Sequence, residues 1–268
     1  MRLRLVPALG AIAGVLLALT VATPVSAAPS AAAVDYVALG DSYASGVGTN
    51  NYDSSSGSCR RSPQSYAPRW ASSHAVASFQ FAACSGATTR NVLSSQLGGL
   101  NTGTDLVSIS IGGNDAGFAD VVTSCVLGSD SSCASAVNTA TAYITNTLPA
   151  RLDETYRAIR DRAPSAQVVV LGYPRLFEAG GSCGLLGMSA YKRQLLNNGS
   201  DLLSGVIAGR VSAAGFTYAD VRSRFAGHGV CGSSPWVNST TWPIVESYHP
   251  NASGYGSGYL PALVAVTG

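Results

Sequence analysis

The sequence predicts an α/β domain built on a parallel sheet with helices on both faces, and three observations carry that prediction. Short apolar, β-rich runs recur along the chain, helical patterns separate most of them, and runs such as VVVLG and LVSISIG are continuously apolar rather than alternating. A strand covered on both faces reads as an unbroken apolar run, whereas a strand with one face in water alternates. Strands that take turns with helices favour parallel pairing through crossover connections.

The strand candidates are residues 34–39, 79–83, 106–111, 168–171 and, with the weakest pattern, 216–221. Helical candidates are residues 65–74, 87–97, 136–162, 189–213 and 251–265. The longest of these places Tyr143, Ile144, Leu148, Leu152, Tyr156 and Ile159 at successive spacings of 1, 4, 4, 4 and 3, one apolar stripe of a helix. Loops concentrate at residues 49–64 and 222–250. Each carries a cysteine able to staple it. No Pro-rich or Ser-rich linker interrupts residues 35–268, which are expected to form a single domain.

Residues 1–34 read as a secretory signal peptide, with Arg2 and Arg4 as the basic region, an apolar core from Leu9 to Ala22, and small residues between Ser26 and Ala33. Pro24 breaks the apolar run before it reaches the about 20 residues a bilayer span needs, so export with cleavage is expected and a membrane anchor is not. Cleavage after Ala27, Ala28 or Ala33 satisfies the small-residue rule equally. Without Arg2 and Arg4 the 16 basic residues fall to the same number as the 14 acidic ones. A secreted, near-neutral protein has no basic field for nucleic acid or an anionic membrane surface. No partner chain is implied, and a monomer is expected. With charged residues at only 11 % and Lys192 the sole lysine, Ser, Thr, Asn and Gly must carry the polar surface.

Six cysteines in an exported chain point to disulfides. No C-x-x-C occurs, which argues against a zinc or redox site. Several connectivities are possible. The sequential set, Cys59–Cys84, Cys125–Cys133 and Cys183–Cys231, is expected because it closes three separate loops and leaves the strands between them free.

In an open α/β sheet ligands bind at the carboxyl ends of the strands, so the strand exits are where chemistry is sought. The first ends in GDSY (Gly40 to Tyr43), the second in ACSGATTR with Gly86, the third in IGGND with Asn114. Ser42 starts the first helix and is read both as its capping residue and as a nucleophile. Gly86 can bring its backbone N–H to a ligand because no side chain intervenes, and Asn114 supplies side-chain donors. With the Ser42 N–H they would form an oxyanion hole. A serine needs a base. Of three histidines, His74 ends a helix, His228 lies in a cysteine-bearing loop and is the second choice, and His249 precedes Pro250 at the start of the last helical pattern.

GDSY, Gly86, GGND at residues 112–115 and a late His249 followed by Pro, in that order across almost the whole mature chain, resemble the four sequence blocks of the GDSL or SGNH hydrolase family. Within it, the resemblance is to the secreted lipases and esterases of streptomycete-type bacteria, which share the signal peptide and six cysteines. It implies a three-layer α/β/α fold on a parallel five-stranded, flavodoxin-like sheet, and ester hydrolysis with no cofactor and no metal. Ser42 becomes the nucleophile, His249 the general base, and Ser42, Gly86 and Asn114 the oxyanion hole. Tyr43 departs from the Leu that names the motif. The family often has an Asp three residues before the histidine, and here Glu246 stands there. Two arrangements remain open. Either Glu246 orients His249 through its carboxylate, or a main-chain carbonyl, of Ser247 or Glu246, does so in a Ser-His dyad. The dyad is the preferred reading.

With an ordinary histidine value, activity should rise with pH through about 6.5, and a flat profile would count against His249 as base. Phe118, Val121, Val122, Leu127, Leu185, Leu186 and Met188 are candidates for an acyl groove or, each alone, for plain core. The resemblance favours lipid esters, with a carbohydrate O-acetyl esterase as the alternative. A phosphate-binding module is not supported, since no G-K-[ST] follows the glycines at residues 40–48. A secreted binding protein without catalysis would need no aligned serine, asparagine and histidine.

Overall fold

The first apolar run becomes β1 (Val34–Gly40), followed at once by the single helical turn α1 (Ser42–Ser45). This computed structural model describes residues 2, 3, 5 and 33–268 except 179, 181, 182, 185 and 186. The expected signal segment therefore lies almost wholly outside the described residues, as do Leu185 and Leu186 of the candidate groove. Residues Ala32–Gly268 form one compact unit.

The chain continues through α2 (Tyr66–Ser73), β2 (Val76–Phe81), the turn α3 (Thr89–Asn91), β3 (Leu106–Ser110), α4 (Phe118–Leu127), α5 (Asp130–Asn146), α6 (Leu148–Arg162), β4 (Gln167–Leu171), α7 (Ala190–Ala213), β5 (Thr217–Ala219) and α8 (Leu260–Thr267). The five strands form one parallel sheet in the order β2-β1-β3-β4-β5. Helices cover both faces in three layers, with α2 packed against α8 and α5 against both α6 and α7. The central strand β3 is buried along its whole length, and β1 and β4 are buried except at their first residues. Burying a side chain such as Ile109 or Leu171 contributes about 1.5–3 kcal/mol.

Edge strand β2 begins three residues earlier than the apolar run suggests, and none of its residues is fully buried, as befits an edge. The chain still runs beside β1 beyond it, since the amides of Ala82 and Ala83 donate to Ala38 O and that of Cys84 to Gly40 O.

The expected helix over residues 136–162 is two helices. Thr147, at φ −117°, ends α5 and starts α6, and Pro149 lies in the first turn of α6. Proline lacks the N–H that a continuous helix would use, and its ring clashes with the carbonyl four residues back, whereas a first turn tolerates both. Ile144, Leu148, Leu152, Tyr156 and Ile159 remain buried across the break. Helix α4 is absent from the sequence reading. Cys125–Cys133 joins it to α5, Cys59–Cys84 joins the loop at residues 49–64 to the exit of β2, and Cys183–Cys231 joins the loop after β4 to the loop at residues 222–250. Residues 87–97 and 251–265 are helical but irregular. The turn Val92–Gln96 and the glycine-rich turn Gly254–Tyr259 are π-helical, the latter leading into α8, where Pro261 removes one amide donor.

Candidate active site

The site begins with the reversal between β1 and α1. Gly40 has φ +122°, and a Cβ there would lie 2.4 Å from Ser110 O, so only glycine lets β1 end this close to β3. Gln96 fixes the same residue by accepting from Gly40 N at 2.7 Å and donating to Gly40 O at 2.9 Å. Asp41, not Ser42, caps α1. Its extended backbone sets its carboxylate to accept from Tyr43 N at 2.9 Å. Ser42 is the first helical residue, and its hydroxyl is left for another partner. That partner is His249, whose Nε2 lies 2.8 Å from Ser42 Oγ.

The second oxygen of Asp41 accepts from the Tyr173 hydroxyl, which itself accepts from Gly113 N at 3.2 Å. One buried tyrosine thus joins the exits of β1, β3 and β4. Burial pushes Asp41 up to about 7, against the opposing pull of its hydrogen bonds from Tyr173 and Tyr43.

His249 follows the short turn Ile244–Glu246, and Pro250 and Asn251 separate it from the helical turns that lead to α8. Its Nδ1 lies 2.9 Å from Ser247 O. A carbonyl only accepts, so Nδ1 carries the proton and Nε2 presents its lone pair to Ser42. Burial outweighs that hydrogen bond and pushes His249 down to about 4. The imidazole is therefore neutral across the range in which an ordinary histidine titrates. His249 in this environment supplies no titration step at about 6.5, contrary to the expectation of a rise there. The Glu246 carboxylate turns elsewhere, accepting from the Tyr52 hydroxyl and from Asn50 N at 3.1 Å.

Gly86 lies just past the cysteine that tethers the exit of β2. It has φ +79°, and a Cβ there would meet nothing within 4 Å, so backbone conformation rather than crowding selects glycine. Asn114 Nδ2 donates to Ala87 O at 2.9 Å, which draws the amide against the Gly86 turn. The neighbouring Asp115 accepts from Thr89 N at 3.0 Å and from Thr89 Oγ1 at 2.6 Å, locking the exits of β2 and β3 together.

Ser42, Gly86, Asn114, Ser247 and His249 line one cavity of about 490 Å³, walled by Phe118, Val122, Val126 and Leu127 of α4 and by Ile244 and Val245. Of the other groove candidates, Val121 faces a neighbouring cavity with Val137 and Ile144, and Met188 packs on the core. His74 stacks on Trp70 and His228 on Trp236, each with a backbone carbonyl at its Nδ1. Among the described residues no group of three or more His, Cys, Asp or Glu side chains is placed to hold a metal ion.

Sequence reasoning missed Asp41, Gln96, Tyr52 and Tyr173. The first had a signal, an Asp immediately before a helix start. The others reach the site only through tertiary packing.

Residues 38–256 match the GDSL-like Lipase/Acylhydrolase family. The chain belongs to that family. As a GDSL-like hydrolase it is a carboxylic ester hydrolase. It is 56 % identical over 247 residues to Lipase 1 of Streptomyces coelicolor, covering 92 % of this chain and 91 % of that protein. Two solved structures share its fold closely. An extracellular lipase from Streptomyces rimosus superposes with a TM-score of 0.86 at 55 % identity, over 88 % of this chain and all of that one. A phospholipase A1 from Streptomyces albidoflavus does so with a TM-score of 0.85 at 51 % identity, over 87 % of this chain and 99 % of that one.

Proposed function

We propose that this GDSL-like hydrolase is secreted after cleavage of its N-terminal signal peptide at Ala27, Ala28 or Ala33 and hydrolyses carboxylic esters of glycerol or phospholipids by Ser-His acyl transfer. The observation that carries this reading is the 2.8 Å approach of His249 Nε2 to Ser42 Oγ in a largely apolar cavity that both residues line together with Gly86 and Asn114. The curated and structural relatives named above, lipases and a phospholipase A1 of Streptomyces, support the lipid side of it. The extracellular lipase among them supports export.

In this reading neutral His249 takes the Ser42 proton at Nε2 as Ser42 Oγ attacks the ester carbonyl. The Ser42 and Gly86 amides and the Asn114 side chain receive the oxyanion. The imidazolium then gives its proton to the leaving alcohol, and water repeats the path to release the acid. Ser247 O holds Nδ1–H throughout, so the third member is a carbonyl dipole and Glu246 is outside the proton path.

The substrate class is tested by comparing turnover on long-chain glycerol esters and phosphatidylcholine with turnover on acetylated xylan. The lipid reading predicts strong preference for the first two. Preference for the xylan would establish the carbohydrate esterase alternative instead.

A further inference from the structure

We propose that Tyr43 is a positioning residue for His249, its hydroxyl holding the strained backbone turn from which the imidazole projects. The inference rests on the reading of His249 as the base and adds what keeps that base in place. Tyr43 stands where the motif that names the family has Leu.

Tyr43 OH donates to Tyr248 O at 2.6 Å, a buried bond between residues 205 positions apart. Tyr248 has φ +60°, a left-handed conformation that glycine or asparagine adopts readily and a tyrosine adopts at a cost in free energy. Such a residue stays in place only where its surroundings over-determine it. Two further bonds hold the turn from its outer side, Tyr248 N to Asn238 O at 3.0 Å and Asn238 N to His249 O at 2.9 Å. The Tyr43 bond holds it from the core side.

The tyrosine ring is fixed as well. It is 3 % exposed and packs against the His249 ring with centroids 5.1 Å apart, while Tyr173 meets it edge-on at 5.1 Å and Phe118 at 6.1 Å. Because Tyr43 adjoins Ser42 on α1, the bond links the loop of the base to the residue beside the nucleophile. The separation of Ser42 Oγ from His249 Nε2 is therefore set by a short, rigid path. Leu at this position could fill part of the space but could not donate, and would leave Tyr248 O buried without this partner.

The test uses the full chain, a soluble short-chain ester and fluorophosphonate titration, which counts competent sites so that kcat is read per site. An adduct on Ser42 in the wild type upholds the reading beneath the inference, and absence of any adduct overturns that reading itself. Given the adduct, Tyr43→Phe should lower kcat per titrated site by about tenfold with KM within about twofold. In the Tyr248→Gly background, where the left-handed φ carries no steric penalty, the same substitution should lower kcat by less than about twofold. An equal loss in both backgrounds overturns the proposal. A loss confined to the number of titratable sites also overturns it, as does a Tyr43→Phe chain without folded structure by circular dichroism, because Tyr43 would then serve the fold alone.

Discussion

A carbonyl oxygen can only accept, and in the reading given above that property of Ser247 O decides how His249 works. It fixes the tautomer without placing a second charge beside the ring. The consequence for Glu246 is direct. Its carboxylate is occupied by Tyr52 and Asn50, so Glu246→Gln should keep kcat within about tenfold of the wild type while lowering Tm, because the amide nitrogen of Gln would face a donor. A loss of several orders of magnitude in kcat would instead make the Glu246 carboxylate part of the catalytic machinery. The pH dependence follows from the same environment. His249 stays neutral down to about 4 and Asp41 titrates near 7, so a limb near neutrality in the wild type belongs to Asp41. In Asp41→Asn, kcat/KM should be flat between about pH 5.5 and 8 and fall only towards pH 4. A limb surviving at about 6.5 would contradict a buried, carbonyl-held imidazole. Stability carries the opposite signs. As pH falls below about 6.5 the unfolded chain protonates His249 before the folded one does and stability drops, whereas Asp41 favours the folded state at low pH and loses that advantage as pH rises towards 7. At this scale the sequence speaks through short motifs. GDS, GGND and the late His-Pro mark residues whose chemistry is local, while Tyr173 and Tyr52 carry no local signal, since nothing beside them in the chain foretells that they meet Asp41 and Glu246.

At the scale of elements, legibility tracks burial. The buried strands β1, β3 and β4 stand out as unbroken apolar runs, and their ends move by two residues or fewer from the sequence reading. The edge strand β2 is harder to bound, because its apolar run describes contact with neighbours rather than the length of its ladder. The helical stripe from Ile144 to Ile159 is correct as a buried face and misleading as one helix, since periodicity does not register the break at Thr147 and Pro149. Helix α4 escapes notice for a different reason. It is short, starts after a left-handed Gly117, and turns several apolar side chains towards the cavity rather than the core. Its tether to α5 closes a loop of 8 residues, and by loop entropy the Cys125→Ser/Cys133→Ser double variant should lose about 2.5 kcal/mol of stability. Urea unfolding followed by circular dichroism measures it. No change in the midpoint would show that packing alone holds α4 in place.

Over the whole molecule the parallel sheet explains why the site exists at all. Five strands with the same direction send all their carboxyl ends to one edge, and the turns carrying Ser42, Gly86 and Asn114 leave from three of them that lie side by side, β1, β2 and β3. The loop at residues 222–250 then brings His249 to the same edge from far along the chain. Fold class was legible because alternation and burial are global patterns, and the convergence of Ser42 with His249 was legible only once strand direction had been inferred. In the proposed mechanism this convergence makes Ser42 a nucleophile. Incubating the folded protein with a fluorophosphonate and mapping the adduct by mass spectrometry tests it most directly. Stoichiometric modification of Ser42 is expected in the wild type, with labelling slowed by orders of magnitude in His249→Ala. Modification elsewhere, or Ser42 labelling as fast without His249 as with it, would mean that His249 does not activate Ser42.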